Sequence, residues 1–481
     1  MRSPSRRPAG WSCRTSSSKS DSAAGHGLTL SHINTQFSLL SLTSPSGKKR
    51  HYRPVPYLPG EALLALYRRR GPVINSGIGQ HGYTYLLGAE ANKFIFANAD
   101  AFSWQRTFEI LALVDGPTAL IVSDGDDHRR RRSVVAPGLR HRQIQDYVPN
   151  MVSTIDSVID RWRPGQRIDS YQLCRSAVRR STAESLFGRR MADHSDFLGE
   201  QLQPLLDLTH QLPQVIQLQQ RLNLPAWRRA MAARTRINDL IDIEIASARA
   251  HPSPDDHMLT MLINGRGDEG YSLSDNEIRD SVVSLITAGY ETTSAALSWA
   301  ISTLLMLPGA WERAVDEVNR VLGDRAPAAG DIEALTYLNG VVHETLRLYT
   351  PGVISARRVM RDLRFDGHRI RAGRLLIFSP YVTHRIPELW PEPREFRPAR
   401  WDPGAPDYRK PAPHEFIPFS AGLHRCIGAV MATTEMTVML ARLVARARLR
   451  LPAQRIRARN FAALAPHPGL TVEVTRSLPA Q

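Results

Sequence analysis

The sequence predicts a mainly α-helical protein with small β-sheets, and three observations lead there. Between residues 145 and 260 the pattern is mostly helical, with stretches at 144–162, 176–187, 197–205 and 227–248 interrupted at Pro213 and Pro225. A longer helix is expected from Ser274 to about Leu307. Ser274 followed three residues later by Glu277 can satisfy the free N–H groups of a helix start reciprocally. Strand signals are short, at 83–88, 375–379 and 470–475, the last alternating apolar and polar residues.

The chain has 481 residues, 42% hydrophobic and 22% charged, enough to bury a large core. No linker interrupts it, so residues 51–481 read as a single domain. Residues 1–50 are rich in Ser and Arg and read as a disordered tail or an organelle transit peptide. Pro54, Pro56, Pro59 and Gly60 then mark a rigid start to the fold. Three cysteines (Cys13, Cys174 and Cys426) argue against a disulfide framework and for a reducing compartment. The expected location is cytoplasmic, with organelle import through residues 1–50 as the alternative. The formal net charge is +16, and a basic surface attracts nucleic acid, acidic membrane or an acidic protein. No nucleic-acid motif is present, which favours the acidic protein. No run reaches the ~18 apolar residues of a membrane-spanning helix. Even 295–307 is interrupted by serines and stopped by Pro308-Gly309, so no transmembrane anchor is expected.

In chain order, 83–88 reads as a strand and 89–98 as a helix. The run from Asp124 to Ser133 carries four consecutive arginines, usually a solvated helix face. His128 and Arg132 lie four apart, so on a helix they share a face and can clamp an acidic group. In the long helix, Leu285, Ala288, Gly289, Thr292 and Ala296 follow i, i+3, i+4, i+7 spacing and form one face of small residues. Such a face suits a close helix contact or a flat cofactor. The Thr292 hydroxyl beside it can open the backbone ladder and hold a water. Glu344 and Arg347 can pair at i, i+3 ahead of the helix stop at Thr350-Pro351. Glu317 and Arg320 share that spacing and read as an ordinary surface pair.

The most informative stretch is Phe419-Ser-Ala-Gly422-Leu-His424-Arg425-Cys426-Ile-Gly428. A free cysteine is ordinarily a small buried hydrophobe. Here it stands between glycines, beside basic residues and just ahead of an expected helix running to about Arg446. Glycine lets the backbone turn sharply and bring N–H groups close to sulfur. A helix N-terminus favours a thiolate. Cys426 therefore reads as a metal-ligating thiolate. Arg442, Arg446, Arg448 and Arg450, with Arg425, are expected to extend a basic surface around it.

This decapeptide resembles the haem-binding signature of the cytochrome P-450 family, F-x-x-G-x-[RH]-x-C-x-G. Phe419, Gly422, His424, Cys426 and Gly428 match, and Ala432 and Glu435 continue the likeness. Three further segments resemble the family in its order. His128 and Arg132 match its H-x-x-x-R, and Ala288–Thr293 matches [AG]-G-x-[DE]-T-[TS]. Glu344–Arg347, with Phe396–Trp401, matches E-x-x-R and F-x-P-E-R-[FW]. Ala399 departs from the last pattern, where Glu is common. The resemblance covers roughly residues 51–481. It implies a P-450-like fold that holds haem b between a long distal helix and a proximal Cys426 loop and helix. His128, Arg132, His424 and Arg357 (or Arg358) would bind propionates, with Ala288 and Gly289 against the ring. Thr292 would bond oxygen at the iron and Glu291 would deliver protons. Glu344, Arg347 and Arg400 would form a structural triad. The implied function is a haem-thiolate monooxygenase that inserts one oxygen atom from dioxygen into an apolar substrate by hydroxylation or epoxidation. Electrons would come from NAD(P)H through an acidic ferredoxin or flavodoxin and its reductase. Peroxide-driven oxygenation, isomerisation and non-catalytic haem sensing are the alternatives; the Glu291-Thr292 pair argues against them.

Overall fold

The computed structural model describes residues 54–478 apart from 210, 212, 252–256 and 461; the tail at 1–50, with Cys13, lies outside them. Helix α1 (Leu58–Arg70) leads into strands β1 (Val73–Ser76) and β2 (Tyr83–Leu86), helix α2 (Ala89–Ala97) and strand β3 (Phe102–Ser103). Two short helices, α3 (Gln105–Phe108) and α4 (Ala112–Asp115), precede α5 (Gly125–Val135) and α6 (His141–Ile159). After β4 (Arg167–Asp169) the chain is helical through α7 (Ser170–Asp193), α8 (Ser195–Thr209), α9 (Pro213–Arg221), α10 (Pro225–Ala250) and α11 (His257–Asn264). The long α12 (Asp275–Met306), α13 (Ala310–Leu322) and α14 (Thr336–Leu348) follow. Strands β5 (Ser355–Val359), β6 (Leu363–Phe365), β7 (His368–Ile370) and β8 (Leu375–Phe378) and short helix α15 (Pro380–Thr383) lead to α16 (Ala429–Arg446). Strands β9 (Ala447–Arg450), β10 (Arg457–Asn460), β11 (Leu464–His467) and β12 (Thr471–Ser477) complete the described chain.

The largest sheet has the order β1-β2-β8-β5-β3. Its β2–β8 pair is parallel and the others antiparallel. β4-β12-β9 form a second sheet, and two hairpins complete the set. The main core lies where α6, α7, α12, α14 and α16 pack together. α12 runs through its middle. Ser274 caps it in the expected reciprocal way, accepting from Glu277 N while Glu277 accepts from Ser274 N at 2.9 Å.

Three expectations are corrected. Pro213 and Pro225 open α9 and α10 rather than merely interrupting helices. A first-turn proline loses no helical hydrogen bond and has its φ preset. The 176–187 stretch starts earlier, at Ser170, while its expected end falls at the non-helical Gly188. Asp169 caps that helix by accepting from Tyr171 N at 2.9 Å, and Gly188 kinks it at φ +82°. Glu317 is no surface residue. It is buried, and its carboxylate accepts Tyr337 N at 2.7 Å, Leu338 N at 2.9 Å and Thr336 Oγ1 at 3.1 Å. It thus covers the free N–H groups that start α14, while the exposed Arg320 stands 3.9 Å away. Among the described residues no single helix is long and apolar enough to cross a membrane. α12 and α13 reach that composition only jointly, across a 107° bend.

Glu317→Ala should destabilise the protein by about 1–3 kcal/mol, because buried N–H groups lose their acceptor. Arg320→Ala should cost under about 0.5 kcal/mol. Urea denaturation of both variants checks the contrast.

Candidate functional site

The Cys426 loop is built on strained backbone. Ser420 and Gly422 have φ of +55° and +71°, and Cys426 N donates to Phe419 O at 2.9 Å, closing the turn. Gly422 therefore needs the freedom expected of it. Gly428 has an ordinary φ of −87° and is the N-cap of α16. Its contribution is an N–H bonded toward the Cys426 sulfur rather than an unusual conformation. Cys426 is accessible at its surface, yet enough protein crowds it that burial pushes the thiol above its usual range. The Gly428 N–H and the charges of Arg132 and Arg425 oppose that shift and favour the thiolate.

Beside the loop, the predicted anion-binding residues come together. His128 and His424 lie ring to ring, with centroids 4.1 Å apart. Arg132 Nη2 donates to Arg425 O at 2.9 Å. Arg357 is buried, its guanidinium carbon 3.7 Å from the centre of the Trp104 ring, and Trp104 stacks on His424 at 4.7 Å. Arg358 instead donates to Gly373 O. Trp104 and Asp124 were not foreseen. Asp124 accepts Ser103 Oγ at 2.6 Å and Trp104 N at 2.9 Å and stands 3.6 Å from His424. Trp104 carries no sequence signal of its own, and Asp124 is one of three acids in the run ahead of His128, with nothing to single it out. The donors are crowded and short of anions. Burial and Arg132 lower His128 to about 4, and burial and His128 lower His424 to about 3. Burial lowers Arg357 to about 9 against the pull of Asp124.

The third wall is α12. From Asp280 to Leu304 every residue is buried except Leu285, Ala288, Gly289 and Thr292. This is the predicted small-residue face, shortened by one position because Ala296 is buried. Gly289 also lets α7 approach, since a Cβ there would meet Thr182 Cγ2 at 3.3 Å. Thr292 Oγ1 donates to Ala288 O at 2.8 Å. Glu291 is not brought to Thr292. Its carboxylate is held by Arg175 of α7 (Nε at 3.0 Å, with Nη2 also bonded) and by Tyr171 OH at 3.4 Å. Arg175 in turn bonds Gln203 of α8 at 2.9 Å. No motif announced Arg175.

Behind the loop, the expected triad forms. Glu344 and Arg347 are fully buried. Glu344 Oε1 accepts Arg347 Nη2 at 2.8 Å, Arg397 N at 2.9 Å and Arg400 Nε at 3.3 Å; Oε2 accepts Arg347 Nε at 2.8 Å and Trp401 Nε1 at 3.0 Å. Burial would raise the carboxyl, but the Arg347 charge and these bonds hold it below its ordinary range. The expected basic extension is corrected. Arg442 and Arg446 are buried against Asp156 of α6, and Arg450 pairs with Glu473. Arg131 likewise turns inward to Glu277.

The description Cytochrome P450 matches residues 57–472. The chain belongs to the cytochrome P450 family. It is similar to the "Putative cytochrome P450 139" of Mycobacterium tuberculosis, 78% identical over 428 residues, which are 88% of this chain and all of that protein. It is also similar to the "Cyclooctatin synthase" of Streptomyces melanosporofaciens, 34% identical over 75% of this chain and 78% of that one. Among solved structures, a "Retinoic acid bound cyanobacterial CYP120A1" matches with a TM-score of 0.78 at 24% identity, covering 90% of this chain and all of that one. The protein is thus a P450-type oxidoreductase of mainly helical P450 fold, and haem is the cofactor of its family.

The residues present fit that cofactor. A single accessible thiol can ligate an iron that brings its own ring. The buried Trp104 Nε1 has no hydrogen-bond partner and lies in the cluster of His128, His424 and Arg357. A group bearing carboxylates would give that N–H an acceptor, give Arg357 a counter-charge and accept hydrogen bonds from the two imidazoles. Arg357→Leu should therefore release haem faster. Losing a hydrogen bond to a charged group, ~1.5–3 kcal/mol, corresponds to roughly 10–100-fold, read as haem transfer to apomyoglobin.

Proposed function

We propose that this P450 is a monooxygenase that hydroxylates or epoxidises an apolar small molecule, using dioxygen and two electrons supplied from outside the chain. The observation that carries the reading is the pairing of two features. One is an accessible Cys426 backed by a backbone N–H and two guanidiniums. The other is an α12 whose only open residues between 280 and 304 are Leu285, Ala288, Gly289 and Thr292. Relatives named "Cyclooctat-9-en-7-ol 5-monooxygenase" and "Taxane 10-beta-hydroxylase" support oxygen insertion as the reaction.

In this reading residues 51–481 form one catalytic domain. Cys426 would ligate the haem iron through its thiolate, and His128, Arg132, Arg357 and His424 would hold the propionates. Ala288 and Gly289 keep the ring face clear, while Phe419, Gly422 and Gly428 shape the ligand loop. When bound, haem supplies dioxygen activation and oxygen transfer. The protein's own groups, the Gly428 N–H with Arg132 and Arg425, favour the thiolate against burial, while the fold excludes water and moves protons. The Thr292 hydroxyl exchanges its bond to Ala288 O for one to a water or oxygen at the open face. Glu291 takes part in proton delivery, and Arg175 holds its side chain in place between turnovers. Glu344, Arg347 and Arg400 lock the loop that carries Cys426.

Electrons come from NAD(P)H through an acidic ferredoxin or flavodoxin and its reductase. The net charge of +16 and the exposed Arg425 support an acidic partner. Cys174 and Cys426 are both free, in keeping with a cytoplasmic setting.

The reduced protein under carbon monoxide should show a strongly red-shifted Soret band, lost in Cys426→Ser. A wild-type band at the ordinary histidine-ligated position would sink the ligand assignment. Thr292→Ala should lower product formed per NAD(P)H at least about tenfold while oxygen consumption continues. Unchanged coupling would remove Thr292 from proton delivery.

A further inference from the structure

Away from the cysteine, α4, α10 and α12 meet at a buried cluster of two carboxylates and one guanidinium. Asp280 of α12 is 3% exposed. Its Oδ2 accepts Thr118 Oγ1 at 2.6 Å and Thr118 N at 3.0 Å; its Oδ1 accepts Arg234 Nη2 of α10 at 2.8 Å. Arg234 Nη1 also donates to Val114 O on α4. Gly116, at φ +95°, passes so close that a Cβ would sit 1.9 Å from Asp280 Oδ1. The segment 112–119 is thus bound to both helices through one ion pair. Asp115, at the end of α4, is 4% exposed, and its Oδ1 has no hydrogen-bond partner. The cluster stands eight residues before Ala288, about 12 Å along the helix at ~1.5 Å per residue.

We propose that Asp115, Asp280 and Arg234 form a proton-operated latch, which holds segment 112–119 to α10 and α12 when Asp115 is protonated and loosens as it ionises. One guanidinium balances one buried carboxylate. A second buried carboxylate competes for Arg234 and repels Asp280, and its proton leaves to solvent. The charges facing Asp115 are Arg234 from α10 and Asp280 from α12. Arg279 of α12 faces Arg234 and is itself paired with Asp242 at 2.6 Å. On the other packed elements, Glu109 and Glu200 are exposed, Asp196 pairs with Arg179 and Asp207 bonds Gln203.

Burial raises Asp115 to about 7, with Arg234 opposing and Asp280 adding. Once the segment opens, the group returns toward its ordinary value of 3.8. The latched form therefore holds the proton more tightly. Its stability is complete below about pH 4 and is lost as pH rises toward about 7, where the dependence levels off.

Hydrogen exchange of peptides spanning 105–120, corrected for intrinsic rates and referenced to α14, tests this on the haem-loaded full chain. Protection of 112–119 should fall at least about tenfold from pH 5 to pH 7 in the wild type, a linkage of up to tenfold per pH unit. Asp115→Asn, which keeps a neutral side chain of the same shape, should stay flat across that range. Thr118→Val should lower protection already at pH 5. Wild-type protection independent of pH would overturn the latch, as would an unchanged drop in Asp115→Asn or unaltered protection in Thr118→Val. If Asp115→Asn fails to fold, the wild-type profile and Thr118→Val still decide.

Discussion

The carboxylate of Glu344 is the interaction on which the proximal half of the fold depends. It is fully buried and accepts five hydrogen bonds, from Arg347, Arg397, Arg400 and Trp401. Arg347 spends its remaining donors on the carbonyls of His384, Pro393 and Glu395 at 2.7–2.9 Å. His384 carries the network onward. Its Nε2 accepts Ile417 N at 2.9 Å, just before the cysteine loop. That bond requires an unprotonated Nε2, and burial, with the charges of Arg347 and Arg385, lowers the imidazole well below its ordinary value. A buried charge costs several kcal/mol to desolvate and is tolerated only when its bonding capacity is filled. Removing any member leaves the others unpaired, which explains why so many backbone carbonyls converge on one guanidinium. The node reaches the chain ahead of the cysteine loop at Ile417 and does so without touching Cys426.

α12 divides its labour by face. One side is open at Ala288 and Thr292; the other is sealed by the Glu291–Arg175 pair against α7. Adjacent residues on a helix point about 100° apart, so Glu291 and Thr292 cannot both face one space without a turn of the helix or a water between them. Arg175 also reaches Gln203 of α8, so the acid is tied to two neighbouring helices. The pairing keeps a buried carboxylate satisfied and gives it a defined resting place.

Much of the site was legible because its chemistry demands particular residues at fixed spacing. His128 with Arg132, Glu344 with Arg347, and the stripe 285–292 all obey helical geometry, and each stands where that geometry puts it. What escaped was non-local. Trp104 and Asp124 join His424 across some 300 residues of chain, and Arg175 meets Glu291 across 116. The arginines of α16 looked like surface charge, yet Asp156 of α6 and Asp160 just past its end lie opposite and draw Arg442 and Arg446 inward. Glu317 with Arg320 shows the same limit, since an i, i+3 spacing cannot say which partner will be buried.

By itself the sequence determined the helical class, the capped start of α12, the cysteine and its glycine-lined turn, and the charges of the triad. These depend on backbone preference and on residues a few positions apart. The tertiary structure alone decided that Arg357 rather than Arg358 packs against Trp104 beside His424, that Glu291 turns from Thr292 toward Arg175, and that Asp115 is buried beside Asp280. Burial and long-range pairing set the free energy of a charge, and both arise only when distant segments pack together.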